Sequence, residues 1–213
     1  MNQIHLQQVL PHEIEKRSFE IITEELAARG ETQEILPENE LVVKRVIHTT
    51  ADFEYVKNLC ISPGAVAKGI AAIKNGACIV TDTQMARSGI NKKKLAEFGG
   101  EAFCFMSDED IAKKAKEEGT TRATASMEKA ASLNRPLIFA IGNAPTALVK
   151  LYEMIEEGKI KPELIIGVPV GFVNVVEAKE LILQTEIPYI VARGRKGGSN
   201  VAAAICNALL YQA

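Results

Sequence analysis

The sequence predicts an α/β fold, a three-layer αβα sandwich built on a mainly parallel, five-stranded sheet. Three observations carry this prediction. From residue 77 onward, short β-branched runs alternate with longer stretches of helical character. Each run is nearly continuous in apolar residues instead of alternating, which is the pattern of a strand covered on both faces and therefore of a parallel sheet. Helix-start signals lie between the runs, and right-handed crossovers then distribute the helices over both faces.

The elements follow in chain order. Pro11 to Arg29 reads as an amphipathic helix with Ile14, Phe19, Ile22 and Leu26 inward and Gly30 as its stop. Glu40 to Thr50 suits a strand by its β-branched Val42, Val43, Val46 and Ile47. The spacing of those residues and the preceding Pro37-Glu38-Asn39-Glu40 suit a helix, which is the reading adopted. Ser62-Pro63 starts a further helix that ends at Gly76. The five strands are Ala77 to Thr81, Ala102 to Met106, Leu137 to Ile141, Leu164 to Val168 and Ile187 to Ala192. Between them, Ser107 heads a capping box, Pro145 opens a helix that Gly158 closes, and Gly198-Ser199-Asn200 starts the last helix.

No Gly/Ser run, proline tract or like-charge block offers a place for a linker, so one domain over residues 1–213 is expected. The 47% of apolar residues suffices for a sizeable core. With 25 Lys and Arg against 27 Asp and Glu, the chain lacks the basic excess that nucleic acid or an acidic membrane demands. The longest uncharged segment, Leu164 to Val176, is broken by Gly167, Pro169 and Gly171 and falls short of the roughly 18 to 20 residues that span a bilayer. Four scattered cysteines without a CxxC pair argue against a structural zinc site, and with no secretory leader pattern they point to the reducing cytoplasm.

Ligands of open parallel sheets bind beyond the carboxyl ends of the strands. Three turns there are free of acidic residues and rich in Gly, Pro and Asn: Ile141 to Thr146, Gly167 to Asn174 and Arg193 to Asn200. Such turns let a ligand lie against bare backbone, although tight strand-to-helix turns need glycine in any case. The third adds Arg193, Arg195 and Lys196 next to a helix start, which suits a carboxylate or phosphate. Neither GxGxxG nor a P-loop spacing is present, which argues against NAD or ATP.

Of three histidines, His5 and His12 lack ligand-like company. His48 is followed by Thr49-Thr50 and Asp52, so a hydroxyl or carboxylate can orient it as a general acid or base; the alternative is a partly buried histidine that satisfies its own hydrogen bonds. GxSxG is absent, and Cys60, Cys78, Cys104 and Cys206 sit in apolar stretches as inert thiols. The lysines at 92 to 94 and at 113, 114 and 116 read as solvated surface.

The motifs Ile14-Glu15-Lys16-Arg17-Ser18-Phe19, Arg45-Val46-Ile47-His48, Thr81-Asp82-Thr83-Gln84-Met85, Thr121-Arg122, Ile141 to Leu148, Gly167 to Val173 and Gly194 to Ser199 together resemble the precorrin-8X methylmutase family, which includes the cobalt-precorrin-8 methylmutases. The match runs from about Ile14 to the C-terminal helix. The resemblance implies a flavodoxin-like sheet, a homodimer with a shared active site, and no added cofactor or metal. It implies transfer of a methyl group from C11 to C12 of a corrin-type tetrapyrrole in cobalamin (vitamin B12) biosynthesis. His48 matches the family's catalytic histidine, read here as a proton donor, and Ser18 matches a substrate-contacting serine. Arg122 is expected to reach the substrate from the partner subunit. Arg17, Asn143, Arg193, Arg195 and Gly197 complete the candidate substrate shell. A non-catalytic tetrapyrrole carrier and a sugar-phosphate or nucleotide enzyme on the same sheet are the competing readings.

Overall fold

The computed structural model describes residues 8–213, so His5 lies outside the described residues. Six strands form one sheet in the order β1-β6-β5-β4-β2-β3, with β1 Leu59–Ile61, β2 Cys78–Thr81, β3 Ala102–Phe103, β4 Leu137–Ile141, β5 Leu164–Gly167 and β6 Tyr189–Ala192. Strands β2 to β6 are mutually parallel, as expected, and β1 pairs antiparallel to β6 with Leu59 opposite Ala192. The sixth strand corrects the expected count of five. Three residues are too few to show a periodicity, and β1 exists because the open edge of β6 recruits it. Flanking bonds lengthen that pairing: Arg193 N–H to the Asn58 carbonyl at 2.7 Å, and Ser62 N–H to the Tyr189 carbonyl at 3.0 Å. At the opposite edge β3 covers two residues, where the sequence suggested a strand through Met106.

The helices are α1 Ile14–Ala28, α2 Glu40–Thr50, α3 Tyr55–Asn58, α4 Ala65–Lys74, α5 Gln84–Gly89, α6 Lys92–Glu97, α7 Glu109–Glu117, α8 Arg122–Ala131, α9 Pro145–Glu156, α10 Val175–Leu183 and α11 Ser199–Leu210. The strands divide them by strict alternation. Ile79, Ile138, Ala140, Leu164 and Ile166 face a core shared with α1 to α6 and α11, whereas Val80, Leu137, Phe139, Ile141 and Ile165 face one shared with α7 to α10. Continuous apolar strands thus bury two faces, giving the αβα sandwich.

Segment 40–50 resolves as a helix. Val42, Val43, Val46 and Ile47 are buried together, a stripe that a helix can present on one side and a strand cannot. Its partner α11 is buried almost all round, and that core helix accommodates its Asn207 by accepting from Asn91 N–H at 2.8 Å and donating to the Gly89 carbonyl at 2.9 Å. Two helix expectations need correction. Ile14 is 53% exposed, because α1 rests on α2 and only Ile22 and Leu26 of its later turns reach the core. No capping box forms at Ser107: α7 begins at Glu109, no side chain caps it, and the Asp108 carboxylate instead receives the Lys129 ammonium at 2.7 Å.

Phe139 sits at the centre of β4 with no exposed surface. Phe139→Ala should lower unfolding free energy by about 3–5 kcal/mol, the range for emptying a buried aromatic site, read from urea denaturation with an unchanged m-value.

Candidate active site at the carboxyl edge of the sheet

Directly after β2, the carboxylate of Asp82 is fully buried and receives three backbone N–H groups: Gly142 at 2.8 Å, Asn143 at 2.8 Å and Ala144 at 2.5 Å. Burial pushes its pKa up, and the three amides oppose that shift. The turn after β4 therefore wraps its amides around the protein's own carboxylate, and these three are not bare backbone for a ligand as the glycine-rich sequence suggested. An acidic residue directly after the buried strand Cys78–Thr81 was the available signal. Thr83 continues the construction, accepting the Ala86 N–H at 3.1 Å to cap α5 and meeting the Ser199 hydroxyl at 2.7 Å. Gly142 must lack a side chain, since a Cβ there would lie 2.7 Å from the Ser199 Cα and 2.9 Å from the Gly198 carbonyl.

The turns after β5 and β6 are joined in the same way. Gly198 N–H donates to the Val168 carbonyl at 2.8 Å, and Gly171 N–H to the Arg195 carbonyl at 3.2 Å. A Cβ on Gly197 would stand 2.1 Å from the Val168 oxygen, so this candidate residue is required for the close approach of the two turns. The three cations of the last turn have different fates. Arg193 forms a bidentate pair with Glu180, at 2.8 Å for each bond, and Lys196 pairs with Asp52 and Glu54. Among the described residues no carboxylate pairs with Arg195, whose guanidinium lies 5.3 Å from the centre of the Phe172 ring. Phe172 and Val173 are 80% and 79% exposed, an apolar surface beside that unpaired cation.

His48 occupies the last turn of α2 and is exposed, its imidazole 5.5 Å from the Phe19 ring on α1. That exposure rules out the buried, self-satisfied histidine. Two of the three expected orienting groups are occupied elsewhere: Thr50 donates to the Val46 carbonyl, and Asp52 holds Lys196, which keeps its carboxyl below the usual range. Aromatic packing, not a hydrogen bond, sets the ring. Arg45 reinforces it by lying 4.7 Å over Phe19 while binding Glu15 at 2.7 Å. Ser18 stands next to Phe19 with its hydroxyl bonded to the Ile14 carbonyl at 2.9 Å, and Arg17 is held by Glu20 and Glu24, each at 3.2 Å.

The candidates thus fall into three groups. His48 lies on the α1–α2 seam of one helix layer, Ser18 is the chain neighbour of its packing partner Phe19, and Arg17 pairs along α1 with Glu20 and Glu24. Arg122 begins α8 in the other layer, where its neighbour Thr121 meets the hydroxyl of Thr146, three residues after the exposed Asn143, at 3.0 Å. Arg195 and Gly197 stand on the rim, which the Lys196–Asp52 pair ties to the end of α2. Arg193, turned to Glu180, takes no part in a cluster. Among the described residues no three His, Cys, Asp or Glu side chains are grouped to hold a metal ion, and no helix is long and apolar enough to cross a membrane. A cavity of about 1050 Å³ opens at the opposite edge, by Pro136, Pro162 and Pro188 ahead of β4, β5 and β6, away from all these candidates.

Asp82→Asn leaves one oxygen and a donor amide where three N–H groups converge. It should cost about 2–3 kcal/mol, measured by urea denaturation, with faster hydrogen exchange at Asn143 and Ala144.

The precorrin-8X methylmutase family model matches residues 13–212. A cobalt-precorrin-8 methylmutase of Leptospira interrogans is 48% identical, covering 94% of this chain and 93% of its own. One of Priestia megaterium is 47% identical, covering 94% and 88%. A crystal structure of a precorrin-8X methylmutase from Thermus thermophilus superposes with a TM-score of 0.83 at 37% identity, over 93% of this chain and 96% of that one. The chain belongs to the precorrin-8X methylmutase family and is a methylmutase, an isomerase.

Proposed function

We propose that this methylmutase moves the methyl group of a corrin precursor from C11 to C12 in cobalamin biosynthesis, with His48 as proton donor. The observation that carries the mechanism is His48 itself: an exposed imidazole, packed on an aromatic ring and in no ion pair among the described residues. The relatives at 47% and 48% identity are named for cobalt-precorrin-8, which favours the cobalt-bearing substrate and cobyrinate as product over precorrin-8X and hydrogenobyrinate.

A methyl shift of the [1,5] type changes no composition and needs neither nucleophile nor oxidant. Protonation of the conjugated system makes the ring more electron-poor and favours migration. Because substrate and product are isomers, the proton given at one atom is balanced by one lost from another. The substrate is broad, largely apolar and fringed with carboxylates. Phe172 and Val173 offer the apolar wall, and Arg195 offers a guanidinium that pairs with no carboxylate among the described residues. Ser18, Arg17, Asn143 and Gly197 extend this shell, and Arg193 joins it only by leaving Glu180.

We also propose a homodimer with shared sites. His48 and Arg122 belong to opposite helix layers of one subunit, so a second copy supplies the natural route for both to meet one ligand. The exposed Leu10, Ile14, Ile21 and Leu36 give such a partner an apolar surface. Free cysteines, three of them buried, fit the reducing cytoplasm as its location.

His48→Ala should slow conversion by roughly 10²- to 10⁴-fold while product affinity stays within a few-fold. The test follows the visible spectrum of the C11-methylated precursor and titrates the product. Wild-type protein that binds the pigment without changing its spectrum would make it a carrier, and full activity in the variant would remove the role of His48. Co-folded His48→Ala and Arg122→Ala subunits should regain up to about one quarter of wild-type activity, because random pairing of two subunit types makes about half the dimers mixed and each mixed dimer holds one intact site. No recovery would place both residues in one subunit's site.

A further inference from the structure

We propose that Lys179 is a positioning residue for the ligand-gripping turn after β6, and that it presents Arg195 to the substrate's carboxylates. The proposal rests on the reading above that this turn holds the corrin edge.

Lys179 lies on α10 and has no exposed surface. Among the described residues it has no carboxylate partner, and burial lowers its pKa to about 8. Its ammonium instead donates to two backbone carbonyls, Gly194 and Lys196, each at 2.8 Å. These are the residues on either side of Arg195. The Arg195 carbonyl is held by Gly171 N–H at 3.2 Å, so three successive carbonyls of the turn are fixed. Gly197 then abuts the Val168 oxygen, and Gly198 N–H donates to it at 2.8 Å. With every neighbouring carbonyl committed, the conformation of the turn is set and the Arg195 side chain is what remains free, alongside Phe172. A methionine fills the same space and is easier to bury, but leaves both carbonyls without a donor. A purely structural lysine could be replaced that way with no effect on ligand.

The test compares Lys179→Met, Arg195→Ala and the double variant. We expect Lys179→Met to raise the product Kd and the KM at least tenfold with a smaller fall in kcat, and to speed hydrogen exchange at Gly171 and Gly198. Against Arg195→Ala, the added Lys179→Met change should raise Kd by less than about twofold. Unchanged exchange and unchanged Kd in a folded Lys179→Met protein would overturn the proposal, as would fully additive losses in the double variant. Should Lys179→Met not fold, Lys179→Gln, with fewer donors, is held to the same criteria. Hydrogen exchange needs no ligand, so faster exchange in a protein whose wild type fails to bind product would reject the functional reading of the turn and keep the positioning.

Discussion

Two buried ionisable groups, neither of them in an ion pair among the described residues, organise the carboxyl edge of the sheet. The Asp82 carboxylate is solvated by the amides of residues 142 to 144, and the Lys179 ammonium by the carbonyls of residues 194 and 196. A charge removed from water must be compensated at once and with good geometry. Each therefore dictates the path of a turn that has no regular secondary structure of its own. The glycines allow these paths, and the charges select among the many that glycine permits.

The selection shapes the electrostatics of the rim. A turn with three cations attracts anions on paper, yet Glu180 and the Asp52–Glu54 pair neutralise Arg193 and Lys196. What is left is one guanidinium beside an exposed aromatic ring, the combination on which the proposed binding of a flat, carboxylate-fringed ligand rests. The ion pairs still matter to the site. Through Lys196, the rim is tied to the turn that follows α2, the helix carrying His48.

His48 shows how an exposed imidazole can be packed without a hydrogen-bonded partner among the described residues. Phe19 packs on the imidazole, and Arg45 lies over Phe19 with Glu15 as its anchor. Packing of this kind favours one ring orientation, and among the described residues no hydrogen bond occupies its nitrogens. The helix layers keep this seam apart from Arg122 and Asn143, which is why a second copy of the chain enters the proposed site.

The parallel sheet and its two covered faces were legible in the sequence because burial on both sides demands runs such as Leu137 to Ile141, and that demand is local. Helix α2 was legible through the spacing of four apolar residues, and the motifs around Ser18 and His48 pointed to the family that the comparisons show. Strand β1 was not, since it owes its existence to the edge of a strand some 130 residues later. Nor were the inward amides of Gly142 to Ala144, the pairing of Arg193 and Lys196, or the burial of Lys179. Composition and periodicity report what each residue prefers next to its chain neighbours. Which charge meets which partner, 13 residues away for Arg193 and 144 for Lys196, is decided only when the layers close, because hydrogen bonds and desolvation act through space.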